Sequence, residues 1–432
     1  MKKIFYSVLL LGTVSLAACS DDDDVYVLNQ NDITVSVPEG GLMAQVGQSF
    51  KITPTSLSDE GIAYQWMLNG EVVGSQKTLE YTFDYADSYD LVLKATQNTV
   101  SYEYKLTVKA GFDGIKVAAP AESATAYITE VFDYMPAIGQ FTNTMPQYEE
   151  GDTQEKMNQK VKESIGNNNR SMITLGGYGG YVVVGFDHTI QNVEGKRDFR
   201  VEGNAFYSNS NPDKNAPEGG SCEPGIIMVA YDVNGNGKPD ENEWYEIAGS
   251  SHEDVTKEPW YEKAKKNGND VNFYFNDFEI TYYKPEKMPS TPEEMKNYVK
   301  WEDNKGNSGY KEMNNFHRQS YYPMWAEGNK ITFKGSRLPQ NGIDESGMGN
   351  NFVLYKFRYG YADNEVNTKD EASIDIAWAV NKKGEKVNLP GIDFVKIYNG
   401  VNQENGWLGE CSTEVTNVLD LHILKVDIDT RK

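Results

Sequence analysis

Between Asn31 and Lys109 the chain is cut into short alternating runs, each ended by a turn, and this pattern leaves room for strands and little else. The runs are Ile33–Val37, Phe50–Thr53, Ala63–Leu68, Leu79–Phe83, Tyr89–Lys94 and Tyr102–Val108. A period of two sends every second side chain to one face, which is how a half-buried strand is written in sequence. Asn69-Gly70 follows the Ala63–Leu68 run directly. That pair favours a two-residue hairpin, because both central positions need positive φ. Strands at this spacing over roughly 80 residues predict a β-sandwich.

The pattern continues downstream with one interruption. From Thr153 to Ile165 the residues Met157, Val161 and Ile165 stand four apart, giving one apolar stripe on a helix that Asp152 or Thr153 can cap. Strand-like runs then return, among them Tyr181–Phe186, Gly225–Tyr231, Trp244–Ile247, Lys330–Phe333, Val353–Phe357 and Phe394–Tyr398. Long polar loops separate them. The fold expected is mostly β: a small N-terminal sandwich over 31–110, a linker over 111–124, and over 125–432 a large jelly-roll-like β-domain with long loop insertions. The small sandwich resembles PKD and immunoglobulin-like domains through Tyr64-Gln-Trp-Met-Leu-Asn-Gly70 and Ala86-Asp-Ser-Tyr89. It has no cysteine pair to bridge its sheets, which suits the PKD type better. Trp66 is expected in the core.

Residues 1–18 carry the parts of an export signal: Lys2 and Lys3, an apolar run from Ile4 to Leu16, and small residues before Cys19. Leu16-Ala-Ala-Cys19 resembles a lipobox, which makes Cys19 the lipidation site and the lipid the only membrane attachment. Each buried acyl CH₂ contributes about 0.8 kcal/mol, so several chains on one cysteine hold firmly. Residues 19–30 then read as an acidic tether containing Asp21 to Asp24. An acidic run here resembles the surface-export signal of Bacteroidota lipoproteins, and implies the outer membrane, facing the cell surface.

Charge narrows the partners. With 64 acidic and 41 basic residues the net charge is −23, so a nucleic-acid footprint is absent. Such a surface suits solubility and divalent cations. After Cys19 only Cys222 and Cys411 remain. An exported compartment permits a bridge between them, and spacing alone leaves both states open.

The clearest chemical motif is Asp232-Val-Asn-Gly-Asn-Gly-Lys-Pro-Asp-Glu-Asn-Glu243. It matches the twelve-position calcium-loop pattern, with Asp232, Asn234 and Asn236 at positions 1, 3 and 5. Gly237 makes the sharp turn, Lys238 offers a backbone carbonyl, Asp240 stands ninth and Glu243 can be bidentate. Oxygen donors at these spacings fit Ca²⁺, here in a structural role, since strands rather than helices flank the loop. A polar hairpin without metal is the plainer reading of the same residues.

Other chemistry is sparse. Gly176-Gly-Tyr-Gly-Gly180 lies between strands with no helix behind it, so it reads as a bulge or tight connection rather than a phosphate loop. His188, His252, His317 and His422 form no zinc-protease pattern, and no nucleophile elbow appears. No catalytic residue is assigned and a non-enzymatic protein is expected. Two loops combine aromatics with polar donors: Phe316–Trp325 and Gly400–Trp407. Their candidate ligand-facing residues are His317, Tyr321, Tyr322, Trp325 and Trp407, each of which could equally pack its own loop.

Strings through most of the chain resemble the PKD-domain cell-surface lipoproteins of Bacteroidota. They include Tyr134-Met-Pro-Ala-Ile-Gly-Gln-Phe141, Gly176-Gly-Tyr-Gly-Gly-Tyr-Val-Val-Val-Gly-Phe-Asp187, Glu243-Trp-Tyr-Glu-Ile-Ala-Gly249, Gly391-Ile-Asp-Phe-Val-Lys-Ile-Tyr398 and Gly409-Glu-Cys-Ser-Thr-Glu-Val415. The resemblance implies an accessory role beside a TonB-dependent receptor in nutrient capture, with a cobamide (vitamin B12) as ligand. A carbohydrate-binding or adhesive protein is the alternative, and a glycan hydrolase stands third. Cys222 and Cys411 occupy positions where this pattern has small residues, and their joint appearance favours a Cys222–Cys411 disulfide.

Overall fold

The computed structural model describes residues 26–207 and 217–430. The export signal, Cys19 and the first part of the acidic tether lie outside the described residues. The chain divides into two compact units between Ile115 and Lys116.

In the first unit a five-stranded sheet runs in the order Leu42–Gln45, Val100–Gly111, Ser88–Gln97, Ala63–Leu68, Glu71–Gly74. Leu42–Gln45 joins it parallel to Val100–Gly111, and the other pairs are antiparallel. Ser49–Ile52 pairs separately with Leu79–Thr82. The Asn69-Gly70 turn forms as its sequence requires, with φ of 49° and 91°. Trp66 is fully buried opposite Leu93 of the neighbouring strand, and its indole N–H donates to the Gln76 carbonyl at 3.0 Å. A buried indole with its one donor satisfied is a core residue.

The second unit is also mostly β, in several sheets, and no sheet among the described residues closes into a barrel. Its centre is a six-stranded antiparallel sheet in the order Glu130–Met135, Tyr181–Gln191, Gly391–Asn399, Gly225–Ala230, Trp244–Ile247, Ala379–Val380. The middle strands bury consecutive residues, and so both faces, over Val182–Gly185, Gly225–Ile227 and Ile397–Asn399. A four-stranded sheet, ordered Ser308–Lys311, Val299–Asp303, Tyr274–Tyr283, Lys330–Arg337, shares a core with Ala137, Ile138 and Tyr178.

The predicted helix is Gln154–Ile165. Thr153 caps it by accepting from the Lys156 amide, and Met157, Val161 and Ile165 are all fully buried. Burying each of these side chains contributes about 1.5–3 kcal/mol. The glycine cluster makes a close connection: a Cβ on Gly180 would strike the Leu175 carbonyl and the Ala137 amide. Near the C-terminus His188 Nε2 lies 2.7 Å from Asp420, and His422 Nε2 lies 2.9 Å from Asp198. These pairs fasten the last strand, Asn417–Asp420, and the turn behind it to the rest of the unit.

Candidate functional site

The loop from Asp232 to Glu243 links two paired strands of the central sheet, Gly225–Ala230 and Trp244–Ile247. Gly235 and Gly237 take φ of 69° and 72°, the conformation this loop needs at its sharp turns. Asp232 accepts from the Asn236 and Gly237 amides at 3.1 and 2.7 Å. Asn236 accepts from the Lys238 amide at 2.7 Å. The Asn234 and Asn236 side chains both donate to Asp240, at 2.6 and 2.8 Å. Glu243 is buried and closes the loop by accepting from the Val233 and Asp240 amides at 3.0 and 3.2 Å. Burial raises the Glu243 carboxyl above its usual range, and the Asp232 and Asp240 charges add to the effect. A cation among these oxygens would relieve that repulsion, so the residues fit Ca²⁺ in composition and loop conformation.

The tightest group of metal-type donors lies elsewhere and was not visible in the sequence. Oxygens of Glu223, Asp363 and Glu414 all lie within 4.8 Å of one another, the one such set among the described residues. Asp363 accepts from the Asn204, Ala205 and Glu414 amides at 2.7, 2.8 and 3.0 Å. Glu223 accepts from the Ser412 amide at 3.0 Å and Glu414 from the Ser412 hydroxyl at 2.7 Å. Part of Glu223 reaches the surface, but its carboxylate is packed among protein atoms. Burial pushes Glu223 up to about 8 and Asp363 up to about 7, and raises Glu414 as well. Three carboxylates this close either hold a hard divalent cation or share protons. They stand 140 and 51 positions apart in sequence, at 223, 363 and 414, so no spacing could announce them.

Cys222 and Cys411 are both fully buried and free. This corrects the expected disulfide: each thiol is enclosed in the core near this carboxylate group, which, with burial as the larger cause, raises both thiols well above their usual range.

The two aromatic loops do come together. Gln140 lies on the segment after strand Glu130–Met135. Its side-chain amide donates to the Leu408 carbonyl at 2.7 Å, and its Oε1 accepts from the Asn314 side chain. Its own backbone carbonyl accepts from the Gln319 side chain, and its amide donates to Glu410 at 2.8 Å. One buried residue thus fastens both loops. Phe316 and Trp407 stand out from them, 76% and 56% exposed. Trp407 bonds the Asn350 carbonyl at 3.2 Å, which brings in a third loop with the exposed Met348.

The other predicted ligand-facing residues divide. Tyr321 belongs to the core, the packing alternative that its loop left open, because its ring packs on Tyr298 and its hydroxyl is used by Asn314 and His317 within the loop. Trp325 is half-buried between Tyr134 and Tyr148, stacked at 5.9 and 6.1 Å, and its indole N–H donates to Gln154 at 3.0 Å. His317 packs edge-on against Phe141 at 4.6 Å. Tyr322 is buried as a ring and lines a cleft of about 460 Å³. A second cleft, of about 400 Å³, is walled by Phe273, Phe275 and Tyr359, with His252 in its lining. His252 Nε2 is 3.1 Å from the buried Glu246 carboxylate.

Residues 31–97 match the model of a PKD-like domain, so the first unit contains such a domain. A search of curated proteins finds no match. Among solved structures, a quinonprotein alcohol dehydrogenase-like protein of Bacteroides thetaiotaomicron superposes with a TM-score of 0.16 at 12% identity, covering 48% of this chain and 34% of that one. SGBP-B of the Bacteroides ovatus mixed-linkage glucan utilization locus, solved with a mixed-linkage heptasaccharide, gives 0.15 at 12% identity, covering 42% and 38%. A SusE-like protein gives 0.14 at 9% identity, covering 90% and 97%. The chain thus spans only about a third of the length of the first of these. Scores this low record no common fold over the whole chain. No described helix is long and apolar enough to cross a membrane.

Proposed function

We propose that this chain is a non-enzymatic, lipid-anchored binding protein of the cell surface whose ligand is a carbohydrate. One observation carries the reading: Phe316 and Trp407 present exposed aromatic faces from two loops that a single buried residue, Gln140, holds in place. A sugar ring has an apolar face that stacks on an aromatic plane, while its hydroxyls need polar groups at the edge. Loops already fastened lose little freedom on binding, so more of the contact energy appears as affinity.

Within this reading the Asp232–Glu243 loop binds Ca²⁺ and braces the central sheet. The Asp232 amide, bonded to Asp393 at 2.7 Å, supports such a bracing role by tying the loop to the neighbouring strand Gly391–Asn399. Lipidation at Cys19 would supply the anchor, and a TonB-dependent receptor is the partner that the resemblance implies.

The test is affinity gel electrophoresis of the soluble protein against neutral and acidic plant and host polysaccharides, with titration of cyanocobalamin alongside. Retardation by at least one polysaccharide supports the proposal. Saturable cyanocobalamin binding with no polysaccharide retained would replace it with cobamide capture.

A further inference from the structure

In a chain with 64 acidic residues, the Tyr322 cleft is lined by none. Its polar lining residues are Lys284, Lys287, Tyr298, Gln319, Ser320 and Tyr322. Lys287 pairs with Glu294 at 2.5 Å. Lys284 is exposed, sits 5.5 Å above the Tyr322 ring, and has no carboxylate partner among the described residues. The Tyr322 residue is 1% exposed, and its hydroxyl has no hydrogen-bond partner. A buried hydroxyl left unpaired is costly, and a ligand acceptor would recover that cost.

The wall is also fixed in advance. The Asn143 side-chain amide donates to the Ser320 and Tyr322 carbonyls at 2.6 and 2.9 Å, and its oxygen accepts from the Met324 amide at 3.0 Å. The same stretch of chain carries Phe316 and, through Gln319, is tied to Gln140.

We infer that this cleft is an anion subsite, taking the carboxylate or sulfate of an acidic sugar through the Lys284 ammonium and the Tyr322 hydroxyl. The inference rests on the carbohydrate reading and narrows it to an acidic glycan. Burial pushes the Tyr322 hydroxyl up to about 12, so it remains a neutral donor at physiological pH. The net charge of −23 repels anions at a distance, but screening limits that field to about 8 Å at physiological salt. Inside the cleft the unpaired ammonium is the nearer charge.

The experiment is isothermal titration of the soluble full chain with three probes: trigalacturonate for carboxylate, a κ-carrageenan oligosaccharide for sulfate, and uncharged galactotriose. Tyr322→Phe and Lys284→Gln accompany the wild type. The inference expects one acidic probe to bind, galactotriose to bind more weakly or not at all, and each variant to weaken acidic binding about tenfold. Tyr322→Phe keeps the ring and removes only an unpaired hydroxyl, so its melting temperature should not fall. The acidic probe that binds identifies the source of the anion. Equal binding of galactotriose, or acidic binding untouched by both variants, overturns the subsite. Failure of both acidic probes overturns it too, while retention of a neutral polysaccharide on gels would leave the broader carbohydrate reading standing.

Discussion

The side chain of Gln140 donates to the backbone carbonyl of Leu408 at 2.7 Å, across 268 positions of sequence. Its other end accepts from Asn314 on the second loop. Gln140→Ala removes both bonds and leaves two part-buried partners without them. The variant should lose about 1–3 kcal/mol in urea unfolding and should weaken glycan binding as well, although the exposed aromatics remain.

Calcium should stabilise the second unit. At a free concentration a hundred times the dissociation constant, Ca²⁺ adds about 2.7 kcal/mol to the unfolding free energy. Differential scanning calorimetry with Ca²⁺ and with EDTA measures this. Glu243→Gln and Asp232→Asn should each remove most of the difference, because each takes a charge from the loop while keeping its shape. A calcium effect that survives both would move the binding to another donor set, of which Glu223, Asp363 and Glu414 form one.

With divalent cations chelated, stability should fall as pH rises from about 4 to about 8. Glu223 at about 8 and Asp363 at about 7 are raised chiefly by burial, whereas both ionise near 4 in an unfolded chain. The folded state therefore holds more protons across that window, and its advantage is lost as they leave. The histidine pairs act in the same direction. His422 is raised by its bond to Asp198, and for His188 the bonds to Asp420 and Asp187 outweigh a larger single cost of burial. Their stabilisation is present below about pH 6.5 and fades above it. Urea midpoints from pH 5 to 9 should show the decline, and Asp363→Asn should flatten its upper part.

Both core thiols should stay unreactive in the folded protein. In a form lacking the export signal and Cys19, Ellman's reagent should find no fast-reacting thiol natively and both after denaturation. A native disulfide would leave neither to react in either state.

Much of the architecture was legible in the sequence because the strands and the helix Gln154–Ile165 write their periods locally. Met157, Val161 and Ile165 gave the helix and its buried face, and Asn69-Gly70 gave the hairpin. The calcium-type loop was legible for the same reason, since all its donors lie within one short segment. The carboxylate group around Asp363, the Gln140 fastening and the Asn143 staple were not, because each joins residues far apart that meet only through tertiary packing. Aromatic residues on loops were ambiguous for a physical reason. Tyr321 and Trp407 carry the same chemistry, and only packing decides that one fills the core while the other faces solvent. The disulfide expectation failed because a shared departure from a pattern gives no distance between two thiols.

The central claim is that the exposed aromatics on the Gln140-fastened loops bind a carbohydrate. The most direct measurement is titration of the best-retained polysaccharide into wild type and into Phe316→Ala, Trp407→Ala and the double variant. Stacking contributes roughly 1 kcal/mol per ring, so each single change should weaken binding about fivefold and the double change more, with melting temperatures unchanged because both rings are exposed. Wild-type affinity in the folded double variant would contradict the account.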